Sequence, residues 1–302
     1  MHLWKFAILL IFAASAVYIH FRGRDRLGFW RQLSDHSTFM APINCVMYLF
    51  SSAPSKPYLP LESCPELALL TSHWQEIREE AVALYDTGAI KASAKYDDVG
   101  FNSFFKTGWR RFYLKWYGTA HPSAEALCPR TSELLKQVPT VKAAMFAALP
   151  PGSRLVKHRD PFAGSIRYHL GLITPGSDDC YIEVDGQRYS WRDGEAVMFD
   201  ETYLHFAENT TDQNRIILFC DVERPMWFWP ARWFNHLVGY ILLASARSPN
   251  EEGDKTGAIN KLFVYIQQVR LAGKRLKAKS RFWYYVAKWI ILGGPIVLWL
   301  LW

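Results

Sequence analysis

The sequence predicts a mainly β fold of the double-stranded β-helix (jelly-roll) type, with flanking helices and a membrane segment at each end. Between residues 153 and 222 the apolar residues form short runs separated by turn residues, which is typical of strands rather than long helices. The dipeptide Asp185-Gly186 joins two of these runs and is a strong signal for a tight hairpin. Many short strands with tight turns favour an antiparallel sandwich or barrel over a parallel α/β sheet.

The first element is an apolar segment at residues 6–21, followed directly by Arg22, Arg24, Arg26 and Arg31. No small-residue cleavage site stands at its end, so the segment predicts an uncleaved anchor rather than a signal peptide. Basic residues collect on the cytoplasmic side of a membrane, so we expect the chain after Arg22 in the cytoplasm and the N-terminus outside.

The middle of the chain contains one predicted helix and a series of predicted strands. Residues 64–86 read as an amphipathic helix with Trp74, Ile77 and Val82 on one face, which indicates a structural role. The strands are predicted at residues 167–173, 180–184, 187–191, 196–199 and 215–222.

Two apolar segments follow the strands. The stretch from Met226 to Leu243 includes Arg232 and His236 and is a poor spanning helix, so it predicts either an interfacial helix that begins after Pro230 or a buried helix. Residues 282–302 are long enough to cross about 30 Å of hydrocarbon. The basic residues just before them again indicate that the intervening domain faces the cytoplasm; they are Arg270, Lys274, Arg275, Lys277, Lys279 and Arg281.

Four side chains suggest a metal centre with an anion-binding residue nearby. His158 and Asp160 are two residues apart, so on an extended strand they point to the same side, and His205 lies on a later strand. Two histidines and a carboxylate can occupy one face of an octahedral Fe(II), leaving the other face open for a co-substrate and O2. Arg215 opens an apolar strand and, if buried, needs an anion such as the far carboxylate of 2-oxoglutarate.

Each of these residues also has a less specific interpretation. A His-x-Asp pair is often a surface ion pair or a turn. His205 is also consistent with a half-buried structural histidine, and Arg215 with a strand-edge arginine in water.

The stretch 108–225 resembles the aspartyl/asparaginyl β-hydroxylase family of Fe(II)- and 2-oxoglutarate-dependent oxygenases. The order and spacing of several blocks agree together; they are residues 108–114, Pro151-Gly152, residues 158–161, residues 167–172, residues 197–200, His205, and Arg215 running into Asp221-Val222. Within the family, Asp160 combined with hydrophobic segments at both chain ends is most similar to the bacterial lipid A hydroxylases, which add a 2-hydroxyl to a secondary acyl chain of lipid A.

The resemblance implies that His158 and His205 bind iron and that Arg215 pairs with 2-oxoglutarate, with ascorbate as a further reductant. Together with the spacing of His158 and Asp160, this predicts His158, Asp160 and His205 as the iron ligands. It also implies that Arg167 and His169 line the co-substrate pocket, with Trp109 nearby. A solvated strand face is the alternative for Arg167 and His169, and core or membrane-facing surface for Trp109.

Two departures from the animal members accompany the resemblance. Asp160 stands where those enzymes have glycine, so the metal sphere here looks fuller. Ala147 matches a serine that contacts co-substrate in those enzymes.

Pattern and resemblance together divide the chain into five regions. They are an N-terminal transmembrane anchor (1–21), a helical or interfacial region (22–107), the oxygenase domain (108–225), amphipathic helices with a basic linker (226–281), and a C-terminal transmembrane segment (282–302). The expected function is a dioxygenase of the bacterial inner membrane, facing the cytoplasm, that hydroxylates carbon 2 of a lipid A acyl chain. The alternatives are a hydroxylase of aspartyl or asparaginyl side chains in a protein, and a non-catalytic ligand-binding module.

Composition indicates the partners. The net charge of +7 is concentrated beside the hydrophobic ends and at Arg110-Arg111, which favours anionic phospholipid and a lipopolysaccharide precursor over nucleic acid. Aromatic residues make up 16% of the chain, which is typical of proteins at membrane interfaces. The five cysteines have no metal-site spacing and are expected to be free thiols. The oligomeric state is not predicted.

Overall fold

Two antiparallel β-sheets form the centre of the computed structural model, which describes residues 3–93 and 98–301. Along the chain the strands are β1 (Tyr58–Leu59), β2 (Arg110–Trp116), β3 (Thr119–Ala120), β4 (Val141–Leu149), β5 (Arg154–His158), β6 (Ser165–Ile173), β7 (Cys180–Val184), β8 (Gln187–Ser190), β9 (Ala196–Phe199), β10 (His205–Asn209) and β11 (Arg215–Glu223). The larger sheet has the order β1-β9-β6-β11-β4-β2-β3 and the smaller has the order β5-β10-β7-β8.

The chain passes back and forth between the sheets from β5 onward. Strands β5, β7, β8 and β10 belong to the smaller sheet, whereas β6, β9 and β11 belong to the larger one. This winding is that of a double-stranded β-helix, and it confirms the predicted fold class. Asp185 and Gly186 both have positive φ angles, of 51° and 77°, at the turn between β7 and β8. The predicted hairpin is therefore confirmed.

Helices surround the sheets. They are α1 (Leu3–Phe21), α2 (Phe29–Gln32), α3 (His36–Phe39), α4 (Ala41–Leu49), α5 (Ala68–Ser72), α6 (Trp74–Asp86), α7 (Pro122–Leu127), α8 (Pro129–Gln137), α9 (Trp229–Val238), α10 (Ala258–Lys279) and α11 (Arg281–Leu301). Short 3₁₀ turns occupy Leu61–Ser63, Pro65–Leu67, Phe105–Thr107 and Ala244–Ala246, and a π-helical turn occupies Gly239–Leu243.

Strand alternation separates two cores on either side of the larger sheet. On β11, Ile216, Leu218 and Cys220 pack with residues of α5, α6 and α8, whereas Ile217 and Phe219 pack between the two sheets. Side chains alternate along a strand, so Arg215 and Asp221 also point to the inter-sheet side. The same alternation on β6 turns Arg167 and His169 inward, away from Tyr168 and Leu170.

The prediction of one amphipathic helix at residues 64–86 was wrong in two respects. The segment is divided into a 3₁₀ turn, α5 and α6, with a break at His73. The buried face of α6 consists of Ile77, Ala81 and Leu84, while Val82 is only half-buried. The spacing of 77, 81 and 84 follows the helical period more closely than that of 74, 77 and 82.

Two arginines that were expected in lipid-facing basic clusters are instead buried. Arg22 pairs with Asp200 at 2.7 Å, and Arg111 pairs with Asp98 at 2.9 Å. Neither is available to a phospholipid headgroup. In each pair the carboxylate is not a sequence neighbour of the arginine, so the pattern of charges along the sequence does not reveal the ion pair.

The terminal helices α1 and α11 are each long and apolar enough, by length and composition, to cross a membrane. They meet near their outer ends, where Lys5 Nζ donates to the carbonyl oxygen of Trp299 at 2.8 Å and the rings of Trp4 and Trp299 lie 5.5 Å apart. The end of α1 next to the domain packs on α3 and α4. Helix α9 begins at Trp229, slightly before the predicted start, and includes Pro230 in its first turn.

Candidate metal centre

His158, Asp160 and His205 lie together at one end of the smaller sheet. His158 ends β5 and His205 begins β10, and these two residues are direct cross-strand partners. Asp160 follows β5, and its backbone N–H donates to the carbonyl oxygen of Glu201 at 2.9 Å. One donor atom from each of the three side chains lies within 4.8 Å of the others. The strand register therefore brings together ligands that are far apart in sequence.

The histidine rings are oriented for metal binding. His158 Nδ1 donates to the carbonyl oxygen of Val156 at 2.7 Å, and His205 Nδ1 donates to that of Tyr203 at 3.0 Å. A carbonyl oxygen only accepts, so Nδ1 carries the proton and Nε2 keeps its lone pair. Asp160 Oδ1 lies 3.3 Å from His158 Nε2. Two imidazole nitrogens and a carboxylate oxygen fit a 2-His-1-carboxylate iron site.

Electrostatics keep these groups in their ligating forms. Burial opposes the charge of Asp160, but Arg167, whose Nη2 is 2.6 Å from Asp160 Oδ2, holds the pKa of this carboxyl well below its usual range. Burial and the neighbouring His158 lower the pKa of His205 to about 3. At neutral pH the site thus offers an ionised carboxylate and a neutral His205.

Arg167 is held by a group of carboxylates. Its Nε lies 3.0 Å from both Glu201 Oε2 and Asp221 Oδ1, and its guanidinium stacks on the ring of Phe219. The hydrogen-bonding capacity of Arg167 is thus directed to protein carboxylates, although the side chain does line the predicted pocket. Arg167 acts on the metal site by positioning Asp160.

An inner cavity extends from the metal ligands into the space between the sheets. Besides the three ligands it is lined by Arg215, Arg167, His169, Trp109, Phe101, Phe104, Leu155, Ile182, Trp191, Phe199, Ala207, Ile217 and Phe219. All the residues predicted for the site therefore line one cavity.

Arg215 and His169 are buried in this cavity and have incomplete hydrogen bonding. Nε and Nη2 of Arg215 and both ring nitrogens of His169 lack a hydrogen-bond partner in the described part of the chain. Burial lowers the pKa of Arg215 to about 10, so the guanidinium remains charged at neutral pH, and the ring of Trp191 covers it at 4.4 Å. Burial, with Arg167 and Arg215 nearby, holds the pKa of His169 well below its usual range. A buried cation without an anion is unfavourable, so the cavity suits a carboxylate ligand.

Trp109 is part of the pocket wall. Its ring is buried and stacks on that of Phe101, with centroids 4.7 Å apart. Ala147 lies on the inner face of β4 as the cross-strand partner of Ile217. It places a methyl group where the resemblance implied a serine.

The sequence did not reveal several residues of the site. The ring of Phe104 lies 4.7 Å from that of His158, and the only signal for it was the aromatic cluster Phe101, Phe104 and Phe105 before the predicted pocket residues. Glu201 and Asp221 are close to Arg167 only through the register of β6, β9 and β11.

A second, outer cavity of about 470 Å³ opens on the other side of the ligands. It shares His158, Asp160 and Arg167 with the inner cavity and extends to Leu243 and Ala246. His158 and Asp160 therefore line both a pocket with a buried cation and a larger space whose walls combine aromatic and aliphatic residues with Arg159, Glu201 and Asp221.

Comparison with known proteins identifies a family to which the sequence is similar. Residues 71–225, just over half of the chain, match the family model described as aspartyl/asparaginyl beta-hydroxylase. An ornithine lipid ester-linked acyl 2-hydroxylase of Rhizobium tropici is 39% identical over 130 residues, which are 43% of this chain and 46% of that protein. The human aspartyl/asparaginyl beta-hydroxylase is 27% identical over 161 residues, which are 52% of this chain and 21% of that protein.

Among solved structures, a prolyl-4-hydroxylase of Pseudomonas putida matches with a TM-score of 0.35 and 15% identity. The match covers 54% of this chain and 97% of that one. The chain spans about half the length of the first curated relatives that it matches, at 46% and 50% of their residues.

Proposed function

This chain belongs to the aspartyl/asparaginyl β-hydroxylase family, and on that basis we propose that it is a membrane-bound Fe(II)- and 2-oxoglutarate-dependent dioxygenase that hydroxylates carbon 2 of a lipid acyl chain. The main support for a 2-oxoglutarate site is Arg215. It is a buried cation without a protein anion, in the cavity that begins at a three-ligand cluster. Such a cavity supplies both the metal ligands and the carboxylate partner that this chemistry needs.

The residues present fit the implied metal. His158, Asp160 and His205 would hold Fe(II), since their donor atoms converge and the Nδ1 hydrogen bonds leave both Nε2 atoms free. When bound, Fe(II) supplies the redox chemistry that couples decarboxylation of 2-oxoglutarate to succinate and CO2 with insertion of one oxygen atom from O2 into a C–H bond. The protein contributes the position of each partner and a shielded pocket.

The other residues bind, orient and exclude water. Arg215 would pair with the far carboxylate of 2-oxoglutarate, and His169 offers a hydrogen-bonding nitrogen beside it. Arg167 keeps Asp160 ionised and fixed in position. The stacked rings of Phe101 and Trp109 wall the cavity and separate the reacting centre from solvent.

A membrane lipid is the proposed substrate class. The chain has an apolar helix at each end that is long enough to cross a membrane, and a relative named as an ornithine lipid acyl 2-hydroxylase is 39% identical over the matched region. We propose a secondary acyl chain of lipid A as the substrate, with the bacterial inner membrane as the location and the catalytic domain in the cytoplasm. Ornithine lipid is the second candidate, and the Rhizobium tropici relative favours it.

Two other functions remain as alternatives. The human family member is named for aspartyl and asparaginyl residues, so a peptide substrate is one of them. A non-catalytic binding module is the other, but it gives no reason for three converging ligands beside an unpaired Arg215.

Mass spectrometry of membrane lipids from cells with and without the gene tests the proposal. We expect one additional oxygen on an acyl chain of lipid A, or of ornithine lipid, only in cells with the gene. The Asp160→Ala variant should lose this oxygen, whereas Asp178→Ala, at an exposed carboxylate paired with Arg192, should keep it.

Purified protein provides the complementary measurement. Iron content and succinate release, measured for both variants, distinguish an enzyme from a binding module. If succinate release depends on iron but a peptide is hydroxylated and no lipid is, the proposed lipid substrate is refuted. Absence of both iron binding and succinate would refute the enzyme.

A further inference from the structure

The proposed co-substrate site lies in the inner cavity, which leaves the outer cavity without an assigned ligand. Its volume of about 470 Å³ lies within the range of about 300–1,000 Å³ typical of small-molecule sites. Near the metal it is bounded by Phe101 and Phe104, and farther away by Trp116, Phe162 and Leu243. These apolar side chains suit a hydrocarbon chain better than a peptide backbone with its unsatisfied polar groups. Arg159, Glu201 and Asp221 also line the cavity, and the two carboxylates pair with Arg167.

A π-helical turn forms the far wall of this cavity. Residues Gly239–Leu243 continue α9 with the wider π geometry, and such turns are rare and frequently occur at functional sites. Trp116 Nε1 donates to the carbonyl oxygen of Leu243 at 2.7 Å, so a buried ring holds the turn in place. The side chain of Leu243 lines the cavity.

A smaller cavity of about 180 Å³ continues under α9. It shares Tyr117, Phe162 and Ser165 with the outer cavity, and it is also lined by Gly239 and Tyr240 of the π-helical turn. The two cavities adjoin at these shared residues, and we refer to them together as the passage between His158 and the underside of α9. Lys142, Glu223 and His236 also line the smaller cavity.

The outer face of α9 is apolar and exposed. Exposed apolar residues recur at helical spacing along α9 and the π-helical turn; they are Trp229, Trp233, Leu237, Tyr240 and Ile241. Arg232 and His236 of α9 are also exposed, and both pair with Glu223. Ala231, Asn235 and Val238 face the protein. A helix with one face rich in tryptophan and aliphatic residues is typical of a segment that lies in a membrane interface. Helix α9 also packs on α4, which packs on the anchor helix α1, so this face is continuous with the anchored side of the domain.

We propose that this passage holds the acyl tail of the substrate lipid beyond carbon 2. Carbon 2 would face His158, Asp160 and His205, the tail would run past Leu243, and its far end would leave at α9 toward the bilayer hydrocarbon. This inference rests on the proposed function, because it assigns a place to the chain that the enzyme hydroxylates. The occupant is a single acyl chain of a membrane lipid.

Photo-crosslinking with the full-length protein in lipid nanodiscs tests the path without requiring turnover. Two lipids are used under anaerobic conditions, one with a diazirine near the ester carbonyl and one with a diazirine near the tail end. The first should label Phe101 or Phe104, and the second should label residues 239–243, with both signals competed by unlabelled lipid. Competed labelling in the opposite order, or only on α1 and α11, would overturn the proposal.

A blocking variant tests the same path. Leu243→Trp places a larger ring in the passage, so we expect a loss of roughly 10-fold or more in tail-end labelling and in lipid hydroxylation. Leu127→Trp, at an exposed position outside both cavities, is the matched control and should behave as the wild type. Leu243→Ala, which widens the passage, should keep the labelling.

The outcomes separate the two proposals. If the wild type hydroxylates lipid and Leu243→Trp does so equally well, the passage is wrong and the function stands. If the wild type neither modifies nor captures any lipid, the lipid function itself is wrong. If Leu243→Trp does not fold, the order of labelling in the wild type decides.

Discussion

At the scale of single residues, Arg215 is a buried cation whose hydrogen bonding is incomplete among the residues that the structure describes. Its guanidinium is buried against Trp191, and two of its nitrogens have no acceptor. Arg167, on the neighbouring strand, is also buried but contacts three carboxylates. Two buried arginines in one cavity thus have different roles, because one is neutralised by the protein and the other is left for a ligand.

The Arg215→Met variant should weaken 2-oxoglutarate binding. Loss of one partner of a buried charge pair costs about 2–5 kcal/mol, which predicts a dissociation constant roughly 30- to 5,000-fold higher. Calorimetric titration of the metal-loaded protein measures this constant. Arg188→Met, at an exposed arginine paired with Glu183, is the control and should leave the constant unchanged.

The stability of the same variant separates a binding role from a structural one. No protein carboxylate is left unpaired when Arg215 is removed, so the free energy of unfolding without 2-oxoglutarate should not decrease by the several kcal/mol expected for a buried pair. A large loss of stability with unchanged 2-oxoglutarate affinity would contradict the assignment.

At the scale of elements, the contact between α9 and β6 depends on a glycine. A Cβ on Gly164 would lie 1.9 Å from Asn235 Oδ1 and 2.3 Å from the ring of Phe162. Asn235 Nδ2 donates to the carbonyl oxygen of Gly164 at 2.9 Å. The helix can therefore lie directly on the start of the strand only if no side chain intervenes.

Gly164→Ala should separate α9 from the sheet and destabilise the protein. Overpacking of this kind costs about 1–3 kcal/mol, to be measured by chemical denaturation in detergent. Gly28→Ala is the matched control, since a Cβ at Gly28 meets nothing within 4 Å. If the two variants have equal free energies of unfolding, α9 moves to accommodate the added Cβ without loss of stability.

The end of α1 is joined to the β domain by a buried charge cluster. Asp200 Oδ2 lies 2.7 Å from Arg22 Nη2 and 2.9 Å from Arg224 Nη2. Burial opposes the charge of Asp200, but the two guanidinium groups hold the pKa of this carboxyl well below its usual range. Asp200→Ala would leave both cations without their partner, and we expect a loss of about 3–5 kcal/mol in the free energy of unfolding.

The lowered pKa of Asp200 also predicts the pH dependence of stability. A carboxyl that is more acidic in the folded state stabilises the fold above its unfolded pKa of about 3.9, and this contribution decreases as the pH falls toward the folded pKa. Urea denaturation between neutral pH and about pH 3 should show wild-type stability falling more steeply than that of Asp200→Ala. Parallel slopes would contradict this role.

At the scale of the whole molecule, the contact between the two terminal helices bears on which side of a membrane the β domain lies. Lys5 and Trp299 connect the outer ends of α1 and α11. The other end of α1 packs on α3 and α4, whereas α11 begins directly after α10 and packs on it. If the two helices cross the membrane, the termini lie on one side and the β domain on the other. Basic residues after α1 and before α11 predict that the domain side is cytoplasmic.

Topology mapping tests this arrangement. Alkaline phosphatase fused after the last residue should be active outside the cytoplasm. A cysteine at the exposed position in Asp178→Cys should react with a membrane-impermeant maleimide in inside-out vesicles and remain unlabelled in intact spheroplasts. The opposite pattern at both sites would mean that the domain is outside, and disagreement between the sites would mean that one helix does not span.

The sequence by itself determined the elements whose signal is local. The jelly-roll class, the Asp185-Gly186 hairpin and the two apolar ends depend on alternation, turn chemistry and hydrophobic length, which are recorded along the chain. It was less informative for β4, because an alanine-rich apolar run fits a strand and a helix equally well. His158, Asp160, His205 and Arg215 were also identified, since their residue types and order limit the chemistry.

Only the tertiary structure decided which partners these residues have. It showed that Arg22 and Arg111 are buried in ion pairs and that Arg167 is shared among carboxylates, whereas Arg215 pairs with none in the described ranges. It also showed that two cavities meet at His158 and Asp160. Burial and pairing depend on strand register and on side chains that are distant in sequence. A periodic pattern specifies which face of an element is apolar, but the free energy of a buried charge depends on what packing places beside it.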